Sequence, residues 1–239
     1  MQYKFVKLLK IFLVVMSLDC LAACAVPSSG PEDVSDRIIW SVDSLTNIGG
    51  HSVEVMGNPR VVKTDVGAAV LFDGDGDRLL VNHNPLFGAE EFTIEIIFNP
   101  NDVYPQNAEP RFFHIESDES PDRRITIELR LNDQHQWYLD TFVKSDVSKY
   151  TLIDATLIHP IAVWTHAAIT YKDTEFTSYV NGQRELSANV EYQPIPESAK
   201  SSIGARMNQV HWFNGAISHI AITHKAVEPK EFVLLDKLP

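Results

Sequence analysis

The sequence predicts an all-β protein built as an antiparallel two-sheet β-sandwich, and three observations carry that expectation. Phe92–Phe98 alternates, with Phe92, Ile94, Ile96 and Phe98 on one face, the two-residue period of a core strand. Asn181-Gly182 follows Tyr179-Val180 and precedes Arg184-Glu185-Leu186, and it is the strongest short-range hairpin signal. Both residues accept, at least cost, the positive φ that a type I′ turn requires. No long amphipathic helix pattern occurs, while Gly, Pro, Asn and Asp recur at the spacing of short strands.

Taken in order, the chain starts with Lys4, Lys7 and Lys10 ahead of an apolar run, Ile11–Leu18, too short to span a bilayer and arranged like an export signal. Leu21-Ala22-Ala23-Cys24 matches the bacterial lipobox. Residues 1–23 therefore read as a lipoprotein signal peptide, with Cys24 lipidated and anchored in the membrane of a bacterial cell envelope. Ala25 after the cysteine, rather than an acidic residue, points to the outer membrane. Two prolines, a glycine and small polar residues make 24–35 a flexible tether, which leaves 36–239 as one folded domain. Cys20 departs with the signal, so stability rests on the core rather than on disulfides. Lys4, Lys7, Lys10 and Asp19 depart too, leaving 17 basic against 31 acidic side chains, a net charge of −14. Such a surface repels phosphate backbones and excludes nucleic acid as a partner. An acidic polysaccharide would need a local basic cleft.

Arg37–Val42 reads as the first strand, and His51–Met56 and Val61–Lys63 as short strands between glycine-rich turns. Ala68–Phe72 and Arg78–Asn82 flank a tight Asp73-Gly74-Asp75-Gly76-Asp77 turn. Pro85–Glu90 suits one helical turn, Asn99–Pro110 a long loop, and Arg111–Glu116 a return to the sheet. Arg124–Leu131 sends Ile125, Ile127, Leu129 and Leu131 one way and Arg124, Thr126, Glu128 and Arg130 the other. A strand with so polar a face shows it to solvent or to a polar cleft. Gln136–Val143 pairs with it, placing Gln136, Tyr138 and Asp140 opposite Trp137 and Leu139. Val163–Tyr171 and Phe176–Val180 follow. Ile203–Arg206, Trp212-Phe213 and Ala216–Thr223 close the sheets, and Glu228–Lys237 reads as a short C-terminal helix with Phe232, Leu235 and Leu234 inward.

Trp164-x-His166-x-Ala168-x-x-Tyr171 followed by Tyr179-Val180-Asn181-Gly182, together with the Phe72-Asp73-Gly74 turn ending in Asp77, resembles the laminin-G-like branch of the concanavalin A-like lectin/glucanase domains, over about Ile39 to Phe232. The resemblance implies a jelly roll with a convex and a concave sheet, sugars lying on the concave face or its rim loops. It also implies a Ca2+ site near the Asp-rich turn, for which Asp73, Asp75 and Asp77 supply alternate carboxylates. A plain Asp/Gly turn is the other reading, because Ser218 and His219 stand in the final strand where the family usually has Asp.

Sugar recognition needs planar hydrogen-bonding groups and aromatic faces. The carbohydrate-binding candidates are Arg124, Glu128, Arg130, Tyr138 and Asp140, with Arg206, Asn208, His211 and Trp212 on the closing loop; His114 and Glu116 stand nearby. A solvated salt-bridge ladder is the competing account of Arg124, Glu128 and Arg130. Trp40 and Trp164 read as core, and His166 as a hydrogen-bonded structural histidine. The glucanase E-x-D-x-x-E strand fails, since Glu116-x-Asp118 meets Pro121 where the second glutamate belongs. Ile127-Glu128-Leu129-Arg130 resembles in part the R-x-E-L-R strand of jelly-roll alginate lyases. A lyase or hydrolase acting through His114, Glu128, Arg130 and Tyr138 is thus the alternative to a binding module. An adhesion module holding another envelope protein is the third reading. Zinc, nucleophilic-serine and nucleotide motifs are absent from the sequence.

Overall fold

A computed structural model describes residues 37–239, so the signal peptide, Cys24 and the tether lie outside the described residues. Seventeen strands follow one another: β1 (Arg37–Ser41), β2 (Asn47–Ile48), β3 (His51–Met56), β4 (Arg60–Thr64), β5 (Gly67–Asp73), β6 (Arg78–Val81), β7 (Phe92–Pro100), β8 (Arg111–Glu116) and β9 (Arg124–Leu131). The second half adds β10 (Gln136–Lys144), β11 (Lys149–Ile153), β12 (His159–Pro160), β13 (Thr165–Lys172), β14 (Glu175–Val180), β15 (Gln183–Asn189), β16 (Lys200–Ile203) and β17 (Asn214–Thr223).

Two antiparallel sheets form the expected sandwich. The eight-stranded sheet runs β15-β14-β13-β7-β17-β5-β4, with β1 also on β17. The nine-stranded sheet runs β11-β10-β9-β8-β16-β6-β3-β2, with β12 also on β10. Phe92, Ile94, Ile96 and Phe98 of β7 face Ile125, Ile127, Leu129 and Trp137 of the other sheet in one fully buried core. The hairpin between β14 and β15 turns at Asn181 and Gly182, with φ of 50° and 74°, as the sequence requires. Asp173 and Thr174 also have positive φ, 47° and 73°, and make the same kind of two-residue connection between β13 and β14. Trp40 is buried in the core, and a Cβ on Gly49 would fall 2.1 Å from its ring, so only glycine fits there.

Some expectations change. The C-terminal segment is no helix: it makes two short 3₁₀ turns, Pro229–Glu231 and Leu235–Lys237, and threads Phe232 and Leu234 inward while Leu235 is only partly covered. Its course follows the surface of the eight-stranded sheet, where backbone N–H groups of Val233 and Leu234 reach Glu95. Trp164 is half-buried on that outer surface, beside Ile97, Ala221 and Leu234, rather than in the core. The strand placed at Ile203–Arg206 ends at Ile203, because Gly204 turns the chain at a φ of 88°. Pro85–Glu90 is a pair of tight turns, Phe87 and Ala89 donating to Asn84 and Leu86.

Candidate functional site

The core side of β9 fixes where its polar side goes. With Ile125, Ile127, Leu129 and Leu131 inward, Arg124, Thr126, Glu128 and Arg130 stand on the outer face of the nine-stranded sheet. Register then brings Asp140 of β10 opposite Glu128, and Tyr138 opposite Arg130. On the other flank a bulge between Arg111 and Phe113 reverses the alternation of β8, so Phe112 and Phe113 both enter the core and Arg111 comes to lie opposite Glu128. His114 and Glu116 pair in register with Thr126 and Arg124. The loop after β16 adds Arg206.

These side chains line a cleft of about 170 Å³ bounded by Arg111, Arg124, Thr126, Glu128, Arg130, Asp140, Phe142, Thr151 and Arg206. Two nitrogens of Arg130 converge on one oxygen of Asp140, at 2.6 and 2.7 Å, and Arg130 also meets Glu109. Arg130 is fully engaged. Glu128 is held differently: Arg111 Nε is 3.4 Å from one carboxylate oxygen and Arg206 Nε 3.6 Å from the other, too far or too oblique to hydrogen-bond. Burial, only partly offset by Arg111, pushes the Glu128 carboxyl up to about 7. Burial also pulls the His114 ring below the usual histidine value; its Nδ1 accepts the Met207 N–H at 3.1 Å, and Nε2 lies 3.2 Å from Glu116. Arg124 sits 5.4 Å above the Phe142 ring, a cation–π contact at the cleft wall.

Of the expected sugar-contacting residues, the fold brings Arg124, Glu128, Arg130, Asp140 and Arg206 into one cleft. Tyr138 shares the face but not the lining. His211 stands at the rim, 3.9 Å from Glu109, and Trp212 bridges Arg111 through its backbone and accepts from Asn107. Asn208 is exposed outside the cleft. Arg111, Thr126, Phe142 and Thr151 belong to the lining without having been singled out. Thr126 and Phe142 share the outward parity of Glu128 and Asp140, whereas Arg111 depends on the bulge. A larger hollow of about 660 Å³ lies elsewhere, beside Glu90, Glu91, Tyr171 and Tyr192, away from this cluster.

In the Asp-rich turn, the carboxylates of Asp73 and Asp77 accept backbone hydrogen bonds. Both Asp77 oxygens accept N–H groups, from Asn58 at 2.6 Å and Asp73 at 2.9 Å, while Asp73 accepts the Asp75 N–H at 2.8 Å. Among the described residues no three His, Cys, Asp or Glu side chains converge as a metal site would.

A laminin-G family model described as concanavalin A-like lectin/glucanases superfamily matches residues 73–232, two thirds of the chain. The chain belongs to this superfamily. No curated protein matches the sequence significantly. Among solved structures, domain 4 of AbnA, a GH43 extracellular arabinanase from Geobacillus stearothermophilus in complex with arabinotriose, is 16% identical with a TM-score of 0.63, covering 84% of this chain and 97% of that one. The binding domain of botulinum neurotoxin DC in complex with rat synaptotagmin II is 17% identical at a TM-score of 0.63, covering 86% and 52%. The same toxin domain in complex with SialylT is 15% identical at 0.62, covering 86% and 52%. The chain thus spans the whole arabinanase domain and about half of the toxin domains; at these identities the likeness is one of fold.

Proposed function

We propose that this superfamily member is a carbohydrate-binding module, which receives polysaccharide on the outer face of the nine-stranded sheet and is lipid-anchored through Cys24 in the bacterial cell envelope, at the outer membrane. One observation carries the binding reading. Arg111 Nε, Arg124 Nε, Thr126 Oγ1, Glu128 Oε1 and Arg206 Nε are buried, border one cleft, and have no hydrogen-bond partner among the protein's atoms. Thr126 and Glu128 are 1% and 5% exposed, so solvated side chains of a surface ladder do not account for them. Each such group costs about 1–3 kcal/mol unmatched, and the hydroxyls and ring oxygens of a sugar supply both donors and acceptors.

The arabinanase domain, bound to arabinotriose in the same fold, supports a glycan. The toxin domain bound to synaptotagmin supports a protein partner as the second reading. Turnover is the less supported alternative, because neither His114 nor Tyr138 lines the cleft and His114 Nδ1 is taken up by the Met207 N–H. The test is affinity electrophoresis of the purified mature protein through neutral and anionic polysaccharides, with and without Ca2+, together with assays for new reducing or unsaturated ends. Retention without products is expected. Products that vanish in Glu128→Gln would replace binding with catalysis, and no retention in any gel would leave a protein partner. For the anchor, Cys24→Ala is expected to move the exported protein out of the membrane fraction; a variant that stays there refutes it.

A further inference from the structure

Arg124, Phe142 and Thr151 line the central cleft and also a second hollow of about 330 Å³, whose remaining walls are Lys144, Lys149 and Tyr150. The two adjoin on β9, β10 and β11, the second displaced along the strands toward the row of Arg124, Lys144 and Lys149 and toward β11 at the sheet edge. The lining of the groove they make is unlike the rest of the molecule. Arg111, Arg124, Arg130, Arg206, Lys144 and Lys149 face it against Glu128 and Asp140, six cations to two carboxylates, in a chain with 20 basic and 32 acidic side chains.

We infer that the groove is a subsite array for a linear anionic polysaccharide, whose carboxylate or sulfate groups are taken by the guanidinium groups of Arg111, Arg124 and Arg206 and followed outward by Lys144 and Lys149. This rests on the carbohydrate reading above and adds the charge of the ligand. The arginines divide by engagement. Arg130 gives two nitrogens to Asp140 and meets Glu109, so it shapes the floor. Arg111 has Glu109 at 3.3 Å and Glu128 at 3.4 Å, Arg206 has Glu128 at 3.6 Å and Arg124 has Glu116 at 3.7 Å, ion pairs looser than that of Arg130 with Asp140, and none of the three Nε groups makes a hydrogen bond. A planar guanidinium matches a carboxylate or sulfate better than a hydroxyl, and charge-assisted hydrogen bonds are about twice as strong as neutral ones. Lys144 already holds Asp122 at the rim, whereas Lys149 is exposed and has no ion pair among the described residues. The overall acidity of the chain makes the array selective, since polyanions are repelled elsewhere.

The experiment is affinity electrophoresis and calorimetry of the mature protein with polygalacturonate, dextran sulfate, arabinan and a neutral β-glucan. At least one polyanion should be retained more strongly than both neutral polymers, and the two polyanions separate a carboxylate ligand from a sulfate ester. Affinity should drop about tenfold or more as salt is raised from about 50 to about 500 mM. Lys149→Gln, on an exposed site, should weaken polyanion binding several-fold without changing Tm, and Arg206→Gln more strongly. Retention of neutral polymers alone, indifferent to salt, overturns the anionic array and leaves the carbohydrate module standing. Polyanion binding untouched by Lys149→Gln and Arg206→Gln overturns the location. No retention of any polymer removes the module itself.

Discussion

Glu128 concentrates the physics of the site in one carboxyl. Its neighbours are Arg111, Arg206 and Arg130 on the attractive side and Asp140 on the repulsive side, yet desolvation dominates and its proton is held to about 7, against 4.5 ordinarily. Below about 4.5 the group is protonated in both folded and unfolded chains and contributes nothing to the pH dependence. Between those values the folded protein keeps a proton that the unfolded chain releases, so stability falls as pH rises, and the full cost is in place above 7. For a side chain only 5% exposed, that difference corresponds to about 3 kcal/mol at most. Glu128→Gln cannot ionise. Denaturant unfolding at pH 5 and pH 8 should show the parent losing up to ~3 kcal/mol more than the variant across that interval. Parallel pH dependences would show that Glu128 is already charged at pH 5.

At the scale of elements, the hairpins set register and register sets the site. Asn181 holds a φ of 50°, donates its N–H to His166 O at 2.8 Å, and accepts the His166 N–H on its side-chain oxygen at 3.0 Å. Asn181→Ala should cost about 1–2 kcal/mol by losing that acceptor and forcing alanine into the left-handed region. Asn181→Asp, which keeps the oxygen, should recover most of it. Urea midpoints compare the three, and equal losses for both variants would mean the side-chain bond contributes nothing. The same local chemistry explains what the sequence discloses. β9 and β10 carry alternation over eight or nine residues, and β7 carries it up to Ile97, so their inward and outward faces can be read directly. β11, with four of its five residues exposed, has no periodic signal, and it supplies Lys149 and Thr151 to the groove. Arg111 has the parity of a core position, and only the bulge in β8 turns it outward. The C-terminal segment spaces its apolar residues as a helix would, but its N–H groups are drawn to Glu95 and the helix does not form.

Across the whole molecule, the two outer faces have opposite fates. On the eight-stranded sheet, Thr93 donates to Lys225 O at 2.8 Å and accepts the Val227 N–H at 3.0 Å. Glu95 accepts from Val233, Leu234 and His166 at 3.0–3.1 Å. Phe232 packs edge-on against Tyr179 at 5.2 Å, and Leu234 covers Ile97 and Ala221. Residues 225–238 thereby seal that face over a buried carboxylate, while the nine-stranded sheet keeps its polar groove open. A chain ending at Ala226 should lose two of the three donors to Glu95 and the apolar cover of Ile97, Ala168 and Ala221, a destabilisation of about 3–5 kcal/mol. Its Tm should drop accordingly. Because the groove lies on the other sheet, glycan retention measured at low temperature, where the shortened chain is folded, should match that of the full chain. A folded, shortened chain that no longer binds would place part of the ligand site beneath the C-terminal segment instead.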